Sequence, residues 1–221
     1  MIIDILTLFP ESFSYLNSSI LKRAQENGII KINLIDIRKF SKDKHGKCDD
    51  YPFGGGAGML MTAQPIFDAV KSIKDNQNAH LIFASPSGQT LSPEIAKRLS
   101  KEEHLIFICG HYEGIDQRVI DLLKPEEISI GDYVLTGGEL PTMTIIDCLA
   151  RFIDGVITSD SLSEESFAEG YLEYPQYTRP QIFEGLEVPE VLVSGNHQEI
   201  AKWRKAKSEE ITKSRRPDLL K

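Results

Sequence analysis

Cysteine is scarce and long apolar runs are missing, and each shortage removes a class of protein. The three cysteines, Cys48, Cys109 and Cys148, are odd in number, far apart and without a Cys-x-x-Cys pair, so neither a disulfide framework nor a zinc site is expected. All three are expected as free thiols. No apolar run approaches the roughly 20 residues of a membrane span, and the opening Met-Ile-Ile-Asp-Ile-Leu-Thr-Leu-Phe-Pro lacks the basic n-region of a signal peptide. The expectation is a cytoplasmic protein with no membrane partner. What is present suffices for a substantial core: 221 residues, 41% hydrophobic and 26% charged, fit one large domain or a large one plus a small one.

Positive charge is in deficit overall, at −8, which at first argues against a polyanionic partner. Its distribution changes that. Residues 38–47 and 196–216 each carry a net +4, so the rest of the chain sums to −16. Either these runs are solvated faces or they are the footprint of a nucleic acid, and charge alone leaves both open.

Apolar β-prone runs at 2–8, 29–37, 79–84, 104–109 and 126–130 alternate with stretches of helical spacing, which reads as α/β with a mostly parallel sheet. Pro10, Pro65, Pro93 behind Ser92, and Pro141 mark helix starts, and Gly28 a stop. After Gly155 the sequence turns small and polar, a linker signature. The expected domains are 1–157, a linker at 158–170, and a small helical domain at 171–221 in which Asn196 caps a helix over 197–207.

The richest stretch is Ser129-Ile-Gly-Asp-Tyr-Val-Leu-Thr-Gly-Gly-Glu-Leu-Pro141, with glycines and polar groups between a strand and a helix. Phe107-Ile-Cys-Gly-His-Tyr-Glu-Gly-Ile-Asp-Gln-Arg118 repeats the same grammar. Two such loops on strand ends make a pocket. Each glycine alone would be an ordinary turn; together they favour a ligand read by backbone groups. His111 alone reads as a solvated loop residue, and Glu113 and Asp132 as surface carboxylates. Gly54-Gly-Gly-Ala-Gly58 is followed by Met59 and Leu60, which excludes a phosphate loop of the Lys-Ser/Thr type. It follows no buried strand, so it is read as a loop that lets backbone approach a ligand. Arg151, in the apolar context of Ile145 to Ile153, either pairs with a carboxylate such as Asp147 one turn earlier or points into the pocket. Glu164 and Glu165 end the polar linker as candidate proton acceptors.

Taken together, these segments resemble the bacterial tRNA (guanine-N1)-methyltransferases of the SPOUT class. The resemblance runs through Leu8-Phe-Pro-Glu11, Asp49-Asp50, Gly54 to Met61, Cys109 to Asp116, Ser129 to Pro141, Ser166-Phe-Ala-Glu-Gly170, Tyr177-Thr-Arg-Pro180 and Ser194-Gly-Asn-His197, and so covers almost the whole chain. It implies a parallel sheet threaded into a deep trefoil knot, an obligate homodimer, and S-adenosylmethionine as methyl donor. The donor positions it implies are Pro86, Gly110, Tyr112, Ile130, Tyr133, Leu135, Gly137, Gly138 and Pro141. Phe83, Ala84, Ser129, Gly131, Asp132 and Val134 complete the expected donor loops. Asp50, Gly55, Gly56, Gly58, Lys202 and Arg204 are expected to meet the substrate, a tRNA and not DNA.

The implied reaction methylates N1 of the guanine 3′ of the anticodon. The N1 proton must leave as the methyl arrives, which wants a carboxylate within hydrogen-bond reach and a cation near O6. Arg151 matches the family's arginine in that role, and Glu113 a glutamate near the methionine end of the donor. The resemblance also raises magnesium as an assisting ion, although no residues are assigned as its ligands. One departure stands out: the family has an aspartate as general base directly before Ser-Phe-Ala-Glu-Gly, and this chain has Glu165. That change is the one feature favouring a rival reading, a catalytically impaired donor- or RNA-binding homologue. A Gly-x-Ser-x-Gly hydrolase elbow is absent.

Overall fold

The computed structural model describes residues 1–158, 165–167 and 170–220. Two compact units divide the chain, Met1–Ile157 and Thr158–Lys221.

Five parallel strands form the sheet of the large unit: β1 (Ile2–Thr7), β2 (Lys31–Asp36), β5 (His80–Thr90), β6 (His104–Ile108) and β7 (Glu126–Ser129), in the order β2-β1-β6-β5-β7. Strand residues alternate in facing, and both faces are buried, as parallel sheets require. On β6, Leu105 and Phe107 join Ile3, Ile5, Ile82 and Ile128 in a core under α1 (Ser19–Glu26), α3 (Pro93–Leu99) and α5 (Glu139–Ala150). Ile106 and Ile108 point the other way, toward α2 (Ala63–Ser72), whose Ile66, Ala69 and Val70 pack with Leu6 and with Val119 of α4 (Gln117–Leu123). A short antiparallel pair, β3 (Asp49–Asp50) and β4 (Leu60–Met61), brackets the glycine loop.

All five expected strands are present. β5 runs on past residue 84, because a break in register between Ala84 and Gln89 lets Gln89 and Thr90 pair again with Ile128 and Ser129. Ser92 Oγ caps α3 by accepting from Ile95 N at 3.4 Å. α5 begins two residues before Pro141, with Gly138 as N-cap. Its Ile145, Ile146 and Leu149 are fully buried, each worth about 1.5–3 kcal/mol by burial; Leu149→Ala would cost about 2–5 kcal/mol and loosen the helix that anchors the pocket floor.

The small unit holds a two-stranded hairpin, β8 (Ile182–Phe183) and β9 (Leu186–Glu187), turned by Glu184 and Gly185, both with positive φ. Such a turn suits a tight antiparallel pair; the sequence reading of this region as helical missed it. After α6 (Glu190–Val193) comes α7, which Asn196 caps as expected but which runs over His197–Arg215, eight residues beyond the expected end. Leu172 docks on α7, its N donating to the buried Thr212 Oγ1 at 2.8 Å, and Glu173 N donates to Ser166 Oγ at 3.0 Å.

Candidate functional site

The carboxyl ends of β6 and β7 flank β5 at its break in register, and the loops leaving β6 and β7 enclose with that stretch of β5 a cavity of about 180 Å³. Its wall from β5 is Phe83 to Pro86; from β6 it is Gly110 to Gly114; from β7 it is Ser129 to Gly131 and Tyr133 to Gly138, with Pro141 of α5 at the edge. Open α/β sheets place ligands at strand carboxyl ends in this way.

Close backbone approach makes the cavity. Gly138 N donates to Gly110 O at 2.7 Å, and a Cβ on Gly138 would fall 2.8 Å from the amide nitrogen of Gly110 and 3.0 Å from Cys109 Cα. Only glycine fits between those backbones. Tyr112 is held in the left-handed region at φ 59°, a conformation that costs a non-glycine residue energy and marks functional loops. Beneath the loops, Glu139 is buried and accepts from Thr7 Oγ1 at 2.9 Å, while its other oxygen lies 4.0 Å from His111 Nδ1. The His111 ring is packed against Phe9 and Tyr112, both at 4.9 Å between centroids.

The glycine loop is stitched to the same wall. Glu113 N donates to Met59 O at 3.0 Å, Met61 N to Gly114 O at 2.9 Å, and Asp116 N to Met61 O at 3.0 Å. A Cβ on Gly58 (φ +82°) would run into the side chain of Glu113, so a glycine there leaves the carboxylate its place on the pocket wall. Asp50 sits in β3 at the base of this loop, exposed, with Lys47 at 3.8 Å.

Arg151 is elsewhere. It stands just past the end of α5 and lines a separate cavity of about 130 Å³ with Tyr15 and Asp147, where the Tyr15 hydroxyl donates to the Asp147 carboxylate. That bond raises the Tyr15 pKa. The 12 residues of α5 rise about 18 Å, which separates Arg151 from the strand-end cavity at the helix's other end. Glu165, Lys205 and Arg204 line a third cavity, within the small unit. Lys202 is exposed and pairs with Glu199 at 2.8 Å.

A family model described as tRNA (Guanine-1)-methyltransferase TrmD matches residues 1–221. The chain belongs to this family. Proteins named tRNA (guanine-N(1)-)-methyltransferase from Clostridium tetani (strain Massachusetts / E88), Clostridium novyi (strain NT) and Caldicellulosiruptor saccharolyticus are 57%, 58% and 58% identical to it. The matches span 99%, 100% and 100% of this chain and 92%, 92% and 90% of those proteins.

Within this family member, the structure gathers every expected donor position except Asp132 around the one cavity, together with Glu113. Ser85, His111, Gly114, Ile128 and Thr136 also line it and were not singled out as donor positions from sequence; their position within the expected loops was the available signal. Gly55, Gly56 and Asp50 are not on its wall. Glu164 lies outside the described residues. Cys109, buried behind the pocket, shares a hydrogen bond with Thr142 Oγ1 at 3.3 Å, and burial pushes its thiol pKa far up, so it is no nucleophile. Among the described residues no group of three or more His, Cys, Asp or Glu is arranged to hold a metal ion, and no helix is long and apolar enough to cross a membrane.

Proposed function

We propose that this chain is a tRNA (guanine-N1)-methyltransferase that moves a methyl group from S-adenosylmethionine to N1 of the guanine just 3′ of the anticodon. The observation that carries this reading is the convergence of two glycine-bearing loops and the bend of β5 on one cavity, in a chain that matches its family along its whole length. Apolar Phe83, Ile130, Leu135 and Pro141 suit the faces of an adenine ring, and the exposed backbone at Gly110, Gly137 and Gly138 suits its polar edges.

In the proposed step, guanine N1 attacks the sulfonium methyl carbon in line, the S–CH₃ bond breaks with its electron pair left on sulfur, and the N1 proton passes to a carboxylate. Glu165 is that acceptor. Arg151 meets O6 and holds the charge developing there. Positioning supplies much of the rate effect. Glu113 orients the donor's amino-acid end from the pocket wall. No step is routed through magnesium.

Arg151 stands about a helix length from the donor cavity of its own chain, so in this reading a second copy supplies it and the enzyme is a homodimer. The exposed apolar side chains of Val134, Leu135 and Leu140 beside the cavity support such an association. The fold proposed around the donor is a trefoil knot. Its support is the tight passage at Gly88, where a Cβ would run into the backbone of Glu127 and Ile128. The exposed Lys39, Lys42 and Lys44 and the exposed Lys202 and Lys213 of α7 are proposed to meet tRNA phosphates. The site of action proposed is the cytoplasm, with no membrane or DNA partner.

Transfer of a labelled methyl group to tRNA, measured beside donor binding, tests this. Donor binding without transfer would leave only a binding homologue.

A further inference from the structure

The small unit contains a cavity of about 470 Å³, larger than the donor cavity and lined wholly by residues between 165 and 209. Its central feature is planar. The Arg204 guanidinium lies over the Tyr174 ring, 4.7 Å from the centroid, and Tyr171 and Ile200 extend the apolar wall. Around that shelf stand acceptors, the carboxylates of Glu173 and Glu209, and donors, Lys205 and Ser208; Glu165 also lines the cavity but is already assigned to the target guanine. The lining therefore carries three acids against two cations. A phosphate track would be positive; a planar cation–aromatic shelf with mixed polar edges is what an unstacked nucleobase needs.

We infer that this cavity is a second nucleobase subsite, seating an unstacked purine of the substrate RNA on the Tyr174–Arg204 shelf. The inference rests on the proposed tRNA substrate and adds a contact that reads a base rather than a phosphate. A purine fits better than a pyrimidine because its two fused rings cover more of the shelf and present both N–H donors to the carboxylates and ring acceptors to the cations. Hydrogen bonds within the unit fix the walls: Leu172 N is tied to Thr212 Oγ1 and Glu173 N to Ser166 Oγ. This role separates Arg204 from Lys202, its exposed neighbour on α7, which remains a phosphate contact.

Two measurements on the full-length protein test the subsite. In the first, GMP, AMP, CMP and ribose 5-phosphate are titrated while following fluorescence of Trp203, the single tryptophan, which adjoins Arg204 in the chain. The purine nucleotides should bind, CMP more weakly, and ribose 5-phosphate not at all. Binding by ribose 5-phosphate as strong as by GMP would overturn the base assignment in favour of a phosphate site. In the second, Tyr174→Ala and Arg204→Lys should each raise the KM for tRNA about tenfold, with donor Kd unchanged, the logarithmic salt slope of tRNA binding unchanged, and Tyr174→Phe close to wild type. A slope lowered by about one in Arg204→Lys, or an unchanged KM in both variants, would overturn the inference. If the wild type itself fails to methylate tRNA, the proposed function falls, while the mononucleotide titration still decides whether the cavity binds a purine.

Discussion

His111 Nδ1 and Glu139 Oε2 face each other across 4.0 Å beneath the strand-end cavity, and the space between the loop that carries His111 and the start of α5 is kept open by Gly137. A Cβ on Gly137 would sit 2.8 Å from His111 Nδ1. His111 cannot retreat freely, because Phe9 and Tyr112 pack its ring, and Glu139 is tied to Thr7. Gly137→Ala is therefore expected to weaken S-adenosylmethionine binding at least tenfold by calorimetry.

Gly138→Val should be more severe, since its Cβ would strike the backbone of Cys109 and Gly110 rather than side chains. Backbone cannot step aside as a side-chain end can. Donor binding should vanish while the far-ultraviolet spectrum stays that of the wild type. Wild-type affinity in this variant would show that the donor binds elsewhere.

The distance along α5 yields a complementation test. If the chain forms the proposed homodimer, coexpressing Gly138→Val with Arg151→Ala would give mixed dimers in which one proposed donor cavity is intact and meets an intact Arg151 from the partner. If Arg151 acts across the dimer, the mixture recovers about a quarter of wild-type transfer, because half the dimers are mixed and one of two sites works in each. Each variant alone should be nearly inactive. No recovery would place Arg151 in the same site as its own chain's donor.

Glu165→Gln should bind the donor normally and lose on the order of 10²–10⁴ in single-turnover methyl transfer. Glu164→Gln should remain active. The reverse pattern would move the base to Glu164, and full activity in both would assign proton removal to another group.

Stability should respond to pH through Glu126. Burial pushes its pKa up, but hydrogen bonds from Arg98 and His80 outweigh this and hold it below the ordinary carboxylate value. A depressed folded value contributes stability that is complete above the unfolded pKa, about 4.3, and is lost as pH falls through the folded value. Glu126→Gln is expected to lower stability by about 1–3 kcal/mol at pH 7 and by progressively less below pH about 4, read from urea midpoints. A pH-independent difference would mean that packing, not charge, holds Glu126.

Periodicity carried most of the large unit. β6 could be read because Leu105 to Ile108 is apolar on both faces, as a central parallel strand must be, and the loops at 109–114 and 129–141 could be read because glycine and polar groups follow such strands. The start of α5 was displaced because Pro141 is the stronger local signal, whereas the helix is opened by Gly138 and the buried Glu139. The β8–β9 pair escaped notice, its strands being two residues each and so too short for alternation; Glu184-Gly185 was the usable mark. For Arg151 the spacing left two partners open, and the Tyr15–Asp147 bond that defines its surroundings spans 132 positions. The cavity of the small unit was equally hidden, since its walls come from residues 165–174 and 197–209, joined by contacts such as Leu172 on Thr212 and Arg204 on Tyr174 that no local pattern marks.

The most direct measurement is methyl transfer from labelled S-adenosylmethionine to a single tRNA transcript made with guanine, and in parallel with adenine, just 3′ of the anticodon, followed by nucleoside analysis of the product. The expected result is N1-methylguanosine from the first transcript and no incorporation into the second. Label in another nucleoside, or equal incorporation into both transcripts, would contradict the assignment.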